Sequence, residues 1–294
     1  MRRLSFSGHQ LSLFGVFPKR AKIIQIDWEA SQIGKRHVVD LGLVGSAQPT
    51  LLALRARIRP RVSKSSLEHL QKERRDWLTS ISLRARRSEF EGAPIHPQFV
   101  AESLSRLVDD NANIAVDVGN SLVWMSRHFR MTHQGWLVSA WLGSMGFSLP
   151  AAIAAKIAQP GRQSLAVAGD GAFTMLMGDF VTSIKYGWPI TVVILNNRKL
   201  GMIKFEQEVH GVPEFGTALQ NLDFAAYAVA AGGRGFRVER GQELDDALQS
   251  ALGGDTSAIV DVWVNPNEKP LPPRISFAQA RGYAEAWFRE TLKI

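Results

Sequence analysis

The chain has 294 residues, which is room for one large domain or two of ordinary size. Its composition, 45% hydrophobic and 21% charged, is that of a folded globular protein. It contains no cysteine, which excludes disulfide bonds, thiolate metal sites and cysteine nucleophiles, and suits a reducing cytoplasm. The net charge is +8, but much of the excess lies in residues 55–87 without a nucleic-acid-binding motif. We therefore expect a solvated linker helix there and no nucleic-acid partner.

The N-terminal sequence MRRLSFSGHQLSLFGVF is only weakly similar to a secretory signal. Two arginines precede an apolar run, but serine, glycine, histidine and glutamine interrupt it, and no small-residue cleavage site follows. The sequence has no run of 18 apolar residues, so we expect no transmembrane segment. These features predict a cytoplasmic protein.

A short apolar run at residues 21–27 predicts a buried parallel strand. Residues 39–45 predict a second strand, and residues 49–58 predict the beginning of a helix. No complete strand–helix–strand unit precedes them. We therefore expect residues 1–60 to be the C-terminal remnant of a larger, central Rossmann-like α/β domain, followed by a basic linker over residues 61–93.

From residue 94 onward, predicted strands and helices alternate. The strands are 113–119, 136–141, 164–170, 189–197, 234–238 and 257–264, and the helices are 96–108, 121–129, 151–158, 173–187, 224–232 and 243–252. Such alternation is typical of an α/β domain with a doubly wound, mostly parallel sheet. We expect this domain to span residues 94–268 and a tail with one amphipathic helix to span residues 269–294.

Two short motifs end consecutive predicted strands. Gly169-Asp170-Gly171 follows one strand, and Asn196-Asn197 follows the next after 24 intervening residues. A helical crossover joins the two strands, so they should lie parallel and close together. Both motifs should then emerge at the carboxyl edge of the sheet, where open α/β sheets bind ligands. Either motif alone is more often an ordinary turn, and it is the pair at this spacing that indicates a site.

The residue types at these motifs suit a metal-bridged diphosphate. A carboxylate, an amide oxygen and a nearby backbone carbonyl are hard ligands for Mg²⁺, which fills its remaining positions with phosphate oxygens and water. Gly171 lets a phosphate approach the backbone closely, and Ala172-Phe173 open a helix whose N–H groups favour an anion.

Residues 169–201 resemble the thiamine diphosphate signature, in which GDG is followed by NN about two dozen residues later. Residues 20 to about 285 are also similar to the pyruvate oxidase and pyruvate:quinone dehydrogenase family. The similarity is carried by AKIIQID, SQIGKR, VDVGNSLVWMSR, GDGAFTMLMGDF, FGTALQNLDFAAYA and PPRISFAQARGYA. It implies the thiamine diphosphate-binding fold, with thiamine diphosphate and Mg²⁺ as cofactors.

By that resemblance, the Mg²⁺ ligands are Asp170, Asn197 and the backbone carbonyl of Lys199. The diphosphate rests on Asp170, Gly171 and Ala172, and on the segment Asn197, Arg198, Lys199, Leu200, Gly201, Met202 and Ile203. Gly143, Ser144 and Met145 match the loop that supports the thiamine ring, with Met145 as the apolar wedge that bends the cofactor. The methionine taken by itself is equally well explained as a core residue.

Two further positions follow from the resemblance. Glu206 matches a family position that faces the reaction centre, although a glutamate on a helix is usually only solvated. Asp27 ends the strand at residues 21–27, where the family's central domain meets the adenosine part of FAD. Full-length relatives bind FAD, but we expect this chain not to hold it because the phosphate-binding turns of that site are lacking.

The resemblance implies a 2-keto acid decarboxylating oxidoreductase that acts on pyruvate. In this family an N-terminal domain supplies the glutamate that activates the cofactor, and the chain has no counterpart of it. We therefore expect a fragment that is inactive alone and needs a pyrimidine-binding partner or a homo-oligomer. Two alternatives stay open: a fragment of an acetolactate synthase-like carboligase, disfavoured because residues 200–209 lack a tryptophan, and a non-catalytic cofactor-binding remnant.

Overall fold

The computed structural model describes residues 20–59, 65–85, 94–220, 222–270 and 277–292. Residues 1–19, for which the sequence predicts no secretory signal, lie outside these ranges. None of the helices within them is long and apolar enough to cross a membrane. The chain divides into two compact units between Arg75 and Asp76. The domain limits at residues 60, 93 and 268 stay predictions.

The elements occur in the following order along the chain. The strands are β1 Ile24–Asp27, β2 Leu41–Val44, β3 Asn113–Val116, β4 Gly135–Leu137, β5 Ser164–Gly169, β6 Thr191–Asn196, β7 Arg234–Val238 and β8 Ala258–Trp263. The helices are α1 Ala47–Arg57, α2 Ser65–Ala85, α3 Pro97–Leu107, α4 Asn120–His128, α5 Ser148–Ala158, α6 Asp170–Leu176, α7 Asp179–Lys185, α8 Gly201–Val209, α9 Phe224–Ala230, α10 Leu244–Leu252 and α11 Phe277–Leu292. Two 3₁₀ turns lie at Ala30–Gln32 and Gly241–Glu243.

In the first unit, β1 and β2 form the predicted parallel pair, with Ile24 opposite Leu41 and Asp27 opposite Val44. The prediction that the first of these strands is buried is wrong, since none of the residues of β1 is buried. Ile24 and Val44 are 58% and 63% exposed. The physical reason is that α1, the helix that follows, buries none of its own residues.

The second unit contains a six-stranded sheet in the order β4-β3-β5-β6-β8-β7, and all its strand pairs are parallel. Side chains of a strand alternate between the two faces of its sheet. Accordingly, Leu165 and Val167 of β5 join one core with α3, α4 and α10, and Ala166 and Ala168 join a second core with α5, α6, α7 and α9. Helices on both faces confirm the predicted doubly wound α/β fold.

Two predicted elements differ from the structure. The single helix expected over residues 173–187 is two helices, α6 and α7, and α6 already begins at Asp170. The helix is interrupted at Met177, whose carbonyl accepts the Phe180 N–H (3.0 Å) and the Tyr227 hydroxyl (2.7 Å). The strand expected over residues 136–141 ends at Leu137. It lies at the edge of the sheet, and the chain turns away where Ala140 N–H bonds to the Val138 carbonyl.

The C-terminal helix α11 packs closely against α8 at Gly282. A Cβ atom at this position would lie 1.9 Å from the Val209 carbonyl oxygen. Gly282→Ala should therefore force the helices apart and cost roughly 1–3 kcal/mol of stability, which lowers Tm by several degrees in thermal denaturation. Gly161→Ala is the matched control, since no atom lies within 4 Å of the added Cβ. Equal melting temperatures for the two variants would contradict this packing.

Candidate functional site

The two signature motifs meet at one edge of the sheet. Strands β5 and β6 are parallel neighbours in a register that ends with Gly169 opposite Leu195. Asp170 and Asn197 follow these strands directly, so both emerge at the carboxyl edge. This confirms the strand arrangement on which the sequence-based site rests.

A pocket that is open to solvent lies at this edge of the sheet. Ten residues of the sequence-based site line it: Met145, Asp170, Gly171, Ala172, Asn197, Lys199, Leu200, Gly201, Met202 and Ile203. Besides Gly169 of the GDG motif, ten more lining residues were not among the site residues predicted from the sequence: Pro97, Val118, Gly119, Asn120, Ser121, Trp124, Leu195, Val264, Asn265 and Glu268.

Asp170 lies at the start of α6 and is 1% exposed. The next residue, Gly171, leaves room for the facing wall of the pocket, because a Cβ there would lie 2.9 Å from Leu200 Cδ2 and 3.1 Å from Leu219 Cδ1. The glycine therefore lets the first turn of α6 approach the segment that follows β6.

The segment Asn197–Lys199 forms a tight turn. The Asn197 Oδ1 accepts the Lys199 backbone N–H at 3.0 Å, and Arg198 adopts a left-handed conformation with φ of 56°. A Cβ atom at Gly201 would lie 2.7 Å from Asn197 Nδ2 and 2.6 Å from Asn120 Nδ2. Gly201 therefore provides the space in which these two amide side chains lie.

Asp117, at the end of β3, orients the loop that carries Met145. Its buried carboxylate accepts the backbone N–H groups of Gly146 (2.9 Å) and Ser148 (3.1 Å) and the Ser148 hydroxyl (2.8 Å). Sequence reasoning did not single out this residue. The available signal was the same as for Asp170, an acid directly after an apolar strand.

Helices α4 and α8, each nine residues long, both begin at the pocket with Asn120 and Gly201. Free backbone N–H groups at helix starts favour an anion. The Asn120 Oδ1 atom is buried and has no hydrogen-bond partner in the described part of the chain. The pocket thus combines anion-favouring backbone groups with a buried polar atom that has no partner among the described residues.

Several predicted residues lie elsewhere. Four of them are exposed and do not line the pocket: Gly143, Ser144, Arg198 and, on α8, Glu206. Asp27 lies in the first unit, where its carboxylate accepts the Glu29 N–H at 3.1 Å. The roles of these residues stay predictions.

Two carboxylates near the pocket have shifted pKa values. Partial burial would raise the pKa of Glu214, but hydrogen bonds from Lys199, Thr217 and Lys204 outweigh it and lower the pKa to about 2. The Lys199 ammonium is thereby held on Glu214 (2.7 Å). Burial raises the pKa of Asp261 to about 6, despite a hydrogen bond from Asn196 and the charge of Arg237.

Within the described ranges, no group of three or more histidine, aspartate or glutamate residues could hold a metal ion. A cation at Asp170 would therefore depend on amide, carbonyl and phosphate oxygens for its other ligands. This donor set fits Mg²⁺, which is usually bound through one or two carboxylates together with phosphate groups of a ligand.

Comparison with known protein families defines the class. Residues 117–262 match the family described as thiamine pyrophosphate enzyme, C-terminal TPP binding domain. The matched segment begins at Asp117 and includes β5, β6 and the residues that follow them. This part of the chain is therefore a C-terminal domain of the thiamine pyrophosphate enzyme type.

The relatives that the chain resembles are several different proteins of this class. The chain is 42% identical over 270 residues to the putative thiamine pyrophosphate-containing protein YdaP of Bacillus subtilis, covering 91% of the chain and 46% of the relative. It is 32% identical to a probable acetolactate synthase large subunit of Methanococcus aeolicus, covering 87% and 45%. It is 28% identical to a pyruvate oxidase of Lactiplantibacillus plantarum, covering 87% and 42%. The chain thus spans about half the length of these relatives, and the similarity is not specific to pyruvate oxidase.

Proposed function

We propose that the pocket at the carboxyl edge of the six-stranded sheet binds thiamine diphosphate together with Mg²⁺. The observation that carries this proposal is the convergence of Asp170 and the Asn197–Lys199 turn at one pocket where α4 and α8 begin. The match of residues 117–262 to a TPP binding domain supports it.

The residues of the pocket have the chemistry that such a ligand needs. Asp170, the Asn197 amide oxygen and the Lys199 carbonyl would hold Mg²⁺, and the starts of α4 and α8 would receive the diphosphate oxygens. Asn120 Oδ1, buried without a partner among the described residues, would accept a hydrogen bond from the ligand or from a metal-bound water. Met145, held by the loop that Asp117 orients, would support the thiamine ring.

The proposed substrate is a 2-keto acid, and pyruvate in particular. Bound thiamine diphosphate supplies the carbon nucleophile and electron sink for breaking the bond next to the keto group. We propose a pyruvate oxidase-type reaction. An acetolactate synthase-type carboligation is the second candidate, and the 32% identity to a probable acetolactate synthase large subunit supports it. Because we expect the chain alone to be inactive, both reactions are assayed after adding the separately expressed N-terminal portion of a relative. Consumption of pyruvate coupled to reduction of an added electron acceptor would support oxidation, and acetolactate formation without reduction would support carboligation.

Calorimetric titration tests the binding proposal. We expect saturable binding of thiamine diphosphate that requires Mg²⁺, and we expect no comparable binding of thiamine, which lacks the phosphates. Gly201→Ala should weaken this binding at least about tenfold, since the added Cβ displaces the Asn197 and Asn120 amides. The fold should tolerate this change, because alanine is a better helix former than glycine.

The matched control for this substitution is Gly161→Ala, which adds the same atom in open space. It should bind with unchanged affinity. Equal binding of thiamine and thiamine diphosphate, or binding that persists in EDTA, would overturn the proposal.

A further inference from the structure

Arg198 has an unusual backbone conformation for its residue type. Among the residues that the structure describes, it is the only non-glycine residue with a positive φ, at 56°. A side chain with a Cβ atom is disfavoured in this region, and glycine, asparagine or aspartate normally occupies it. Something outside the residue must therefore stabilise the turn at this position.

The Arg198 side chain contacts Trp263, the last residue of β8. The Arg198 guanidinium carbon lies 4.1 Å from the centre of the Trp263 ring, a distance at which cation and ring attract each other. Trp263 is opposite Asn196 in the parallel pairing of β6 and β8, so its ring lies beside the start of the turn.

Trp263 is itself held from the other neighbouring strand. The Arg237 guanidinium of β7 lies 4.9 Å from the centre of the same ring. Arg237 is fixed by ion pairs to Asp223 (3.3 Å) and Glu239 (2.7 Å). The ring is therefore contacted by two guanidinium groups, one anchored in the sheet and one from the turn.

The turn at Arg198 determines how its two neighbours are placed. Asn197 and Lys199 flank it, and Asn197 Oδ1 accepts the Lys199 N–H at 3.0 Å. The Arg198 carbonyl accepts the Leu219 N–H at 2.8 Å. Asn197 and Lys199 both line the pocket, and if Arg198 relaxed to a negative φ these two residues would move relative to each other.

We infer that Trp263 is a positioning residue for the cation site. Its stack with the Arg198 guanidinium holds Arg198 in the left-handed conformation, and this keeps the Asn197 amide oxygen and the Lys199 carbonyl together. Trp263 itself is not among the residues that line the pocket. This inference rests on the proposed function, because it concerns the same Mg²⁺ and diphosphate site.

A double-mutant cycle tests the inference. Trp263→Leu should weaken the Mg²⁺-dependent binding of thiamine diphosphate roughly three- to fivefold in calorimetric titration. Glycine adopts a positive φ without the steric cost of a Cβ atom, so in the Arg198→Gly background the Trp263 ring is no longer needed. There, the further change Trp263→Leu should alter the affinity by less than about twofold.

Two further variants keep this test decisive. Trp188→Leu removes another stacked tryptophan, whose ring lies 4.8 Å from Tyr186, and should leave the affinity unchanged. Trp263→Phe keeps a smaller ring, and its affinity should lie between those of the wild type and Trp263→Leu. If Trp263→Leu does not fold, Trp263→Phe takes its place in the cycle.

The outcomes separate the two proposals. Absence of binding in the wild-type chain would overturn the proposed function. Binding by the wild type with an equal loss from Trp263→Leu in both backgrounds would overturn the inference alone, because a merely structural role of Trp263 does not depend on the residue at position 198.

Discussion

Thiamine diphosphate with Mg²⁺ is expected to raise the melting temperature of the wild-type chain by about 5–10 °C. A ligand that binds only the native state at about 100 times its dissociation constant adds about 2.7 kcal/mol. The second unit spans Asp76–Ile294, and for a folding unit of about 150–250 residues each kcal/mol shifts Tm by about 2–4 °C. Mg²⁺ alone, or thiamine diphosphate in EDTA, should give little of this shift, because in the proposed site the metal and the diphosphate would each complete the binding of the other.

Asp170→Asn is expected to abolish the shift. Asp170 is 1% exposed and provides the carboxylate of the proposed Mg²⁺ site. The amide has nearly the same shape but no negative charge, so the cation loses its strongest ligand. Thermal denaturation with and without ligand measures the effect.

The matched control is Asp179→Asn, at the start of α7. Asp179 is an aspartate in the first turn of a helix, as Asp170 is, but it does not belong to the lining of the pocket. This variant should keep the full shift. The same rise of Tm in the wild type and in Asp170→Asn would show that the ligand binds elsewhere.

Asp261→Asn is expected to stabilise the metal-free protein at pH 7.5. Asp261 is 1% exposed on β8, and burial raises the pKa of its carboxyl to about 6. Above that pH the fold holds a buried negative charge, with Asp223 and Asp170 as nearby like charges. An amide at this position can still accept the hydrogen bond from Asn196 Nδ2, which is 2.8 Å long.

The expected pH dependence has a definite sign. Between the pKa of the unfolded chain, near 4, and the value of about 6 in the fold, the native state retains a proton that the unfolded state has lost. Stability contributed by this group therefore falls as the pH rises through this window. The cost above pH 6 is on the order of 2–3 kcal/mol, because the pKa in the fold is about 6 instead of about 4.

Thermal denaturation of both proteins in EDTA between pH 4 and pH 8 measures this effect. The advantage of Asp261→Asn should be several degrees at pH 7.5 and should shrink toward zero near pH 4. Asp255→Asn, on an exposed loop, controls for the change in net charge. A difference between Asp261→Asn and wild type that does not vary with pH would contradict the shifted pKa.

Local patterns in the sequence were sufficient for the order of elements in the second unit. Apolar runs such as residues 189–197 predict strands, because a parallel strand between two helix layers is buried on both faces. They also place Asp170 and Asn197 at one edge, since consecutive strands joined by a crossover helix lie parallel. The break between α6 and α7 depends on the hydrogen bonds that a single carbonyl, that of Met177, accepts. No local sequence pattern indicates such a break.

The sequence by itself determined the fold class, the edge of the sheet that carries the site, and the residue types that meet there. The tertiary structure alone decided which distant side chains support them: Asp117 on the loop of Met145, and Asp261 and Trp263 beside the Asn196–Arg198 segment. The physical reason is the strand order, which inserts β8 next to β6 and thereby joins residues about 65 positions apart. Motif spacing along the chain carries no information about such contacts, because they arise only when the whole sheet is assembled.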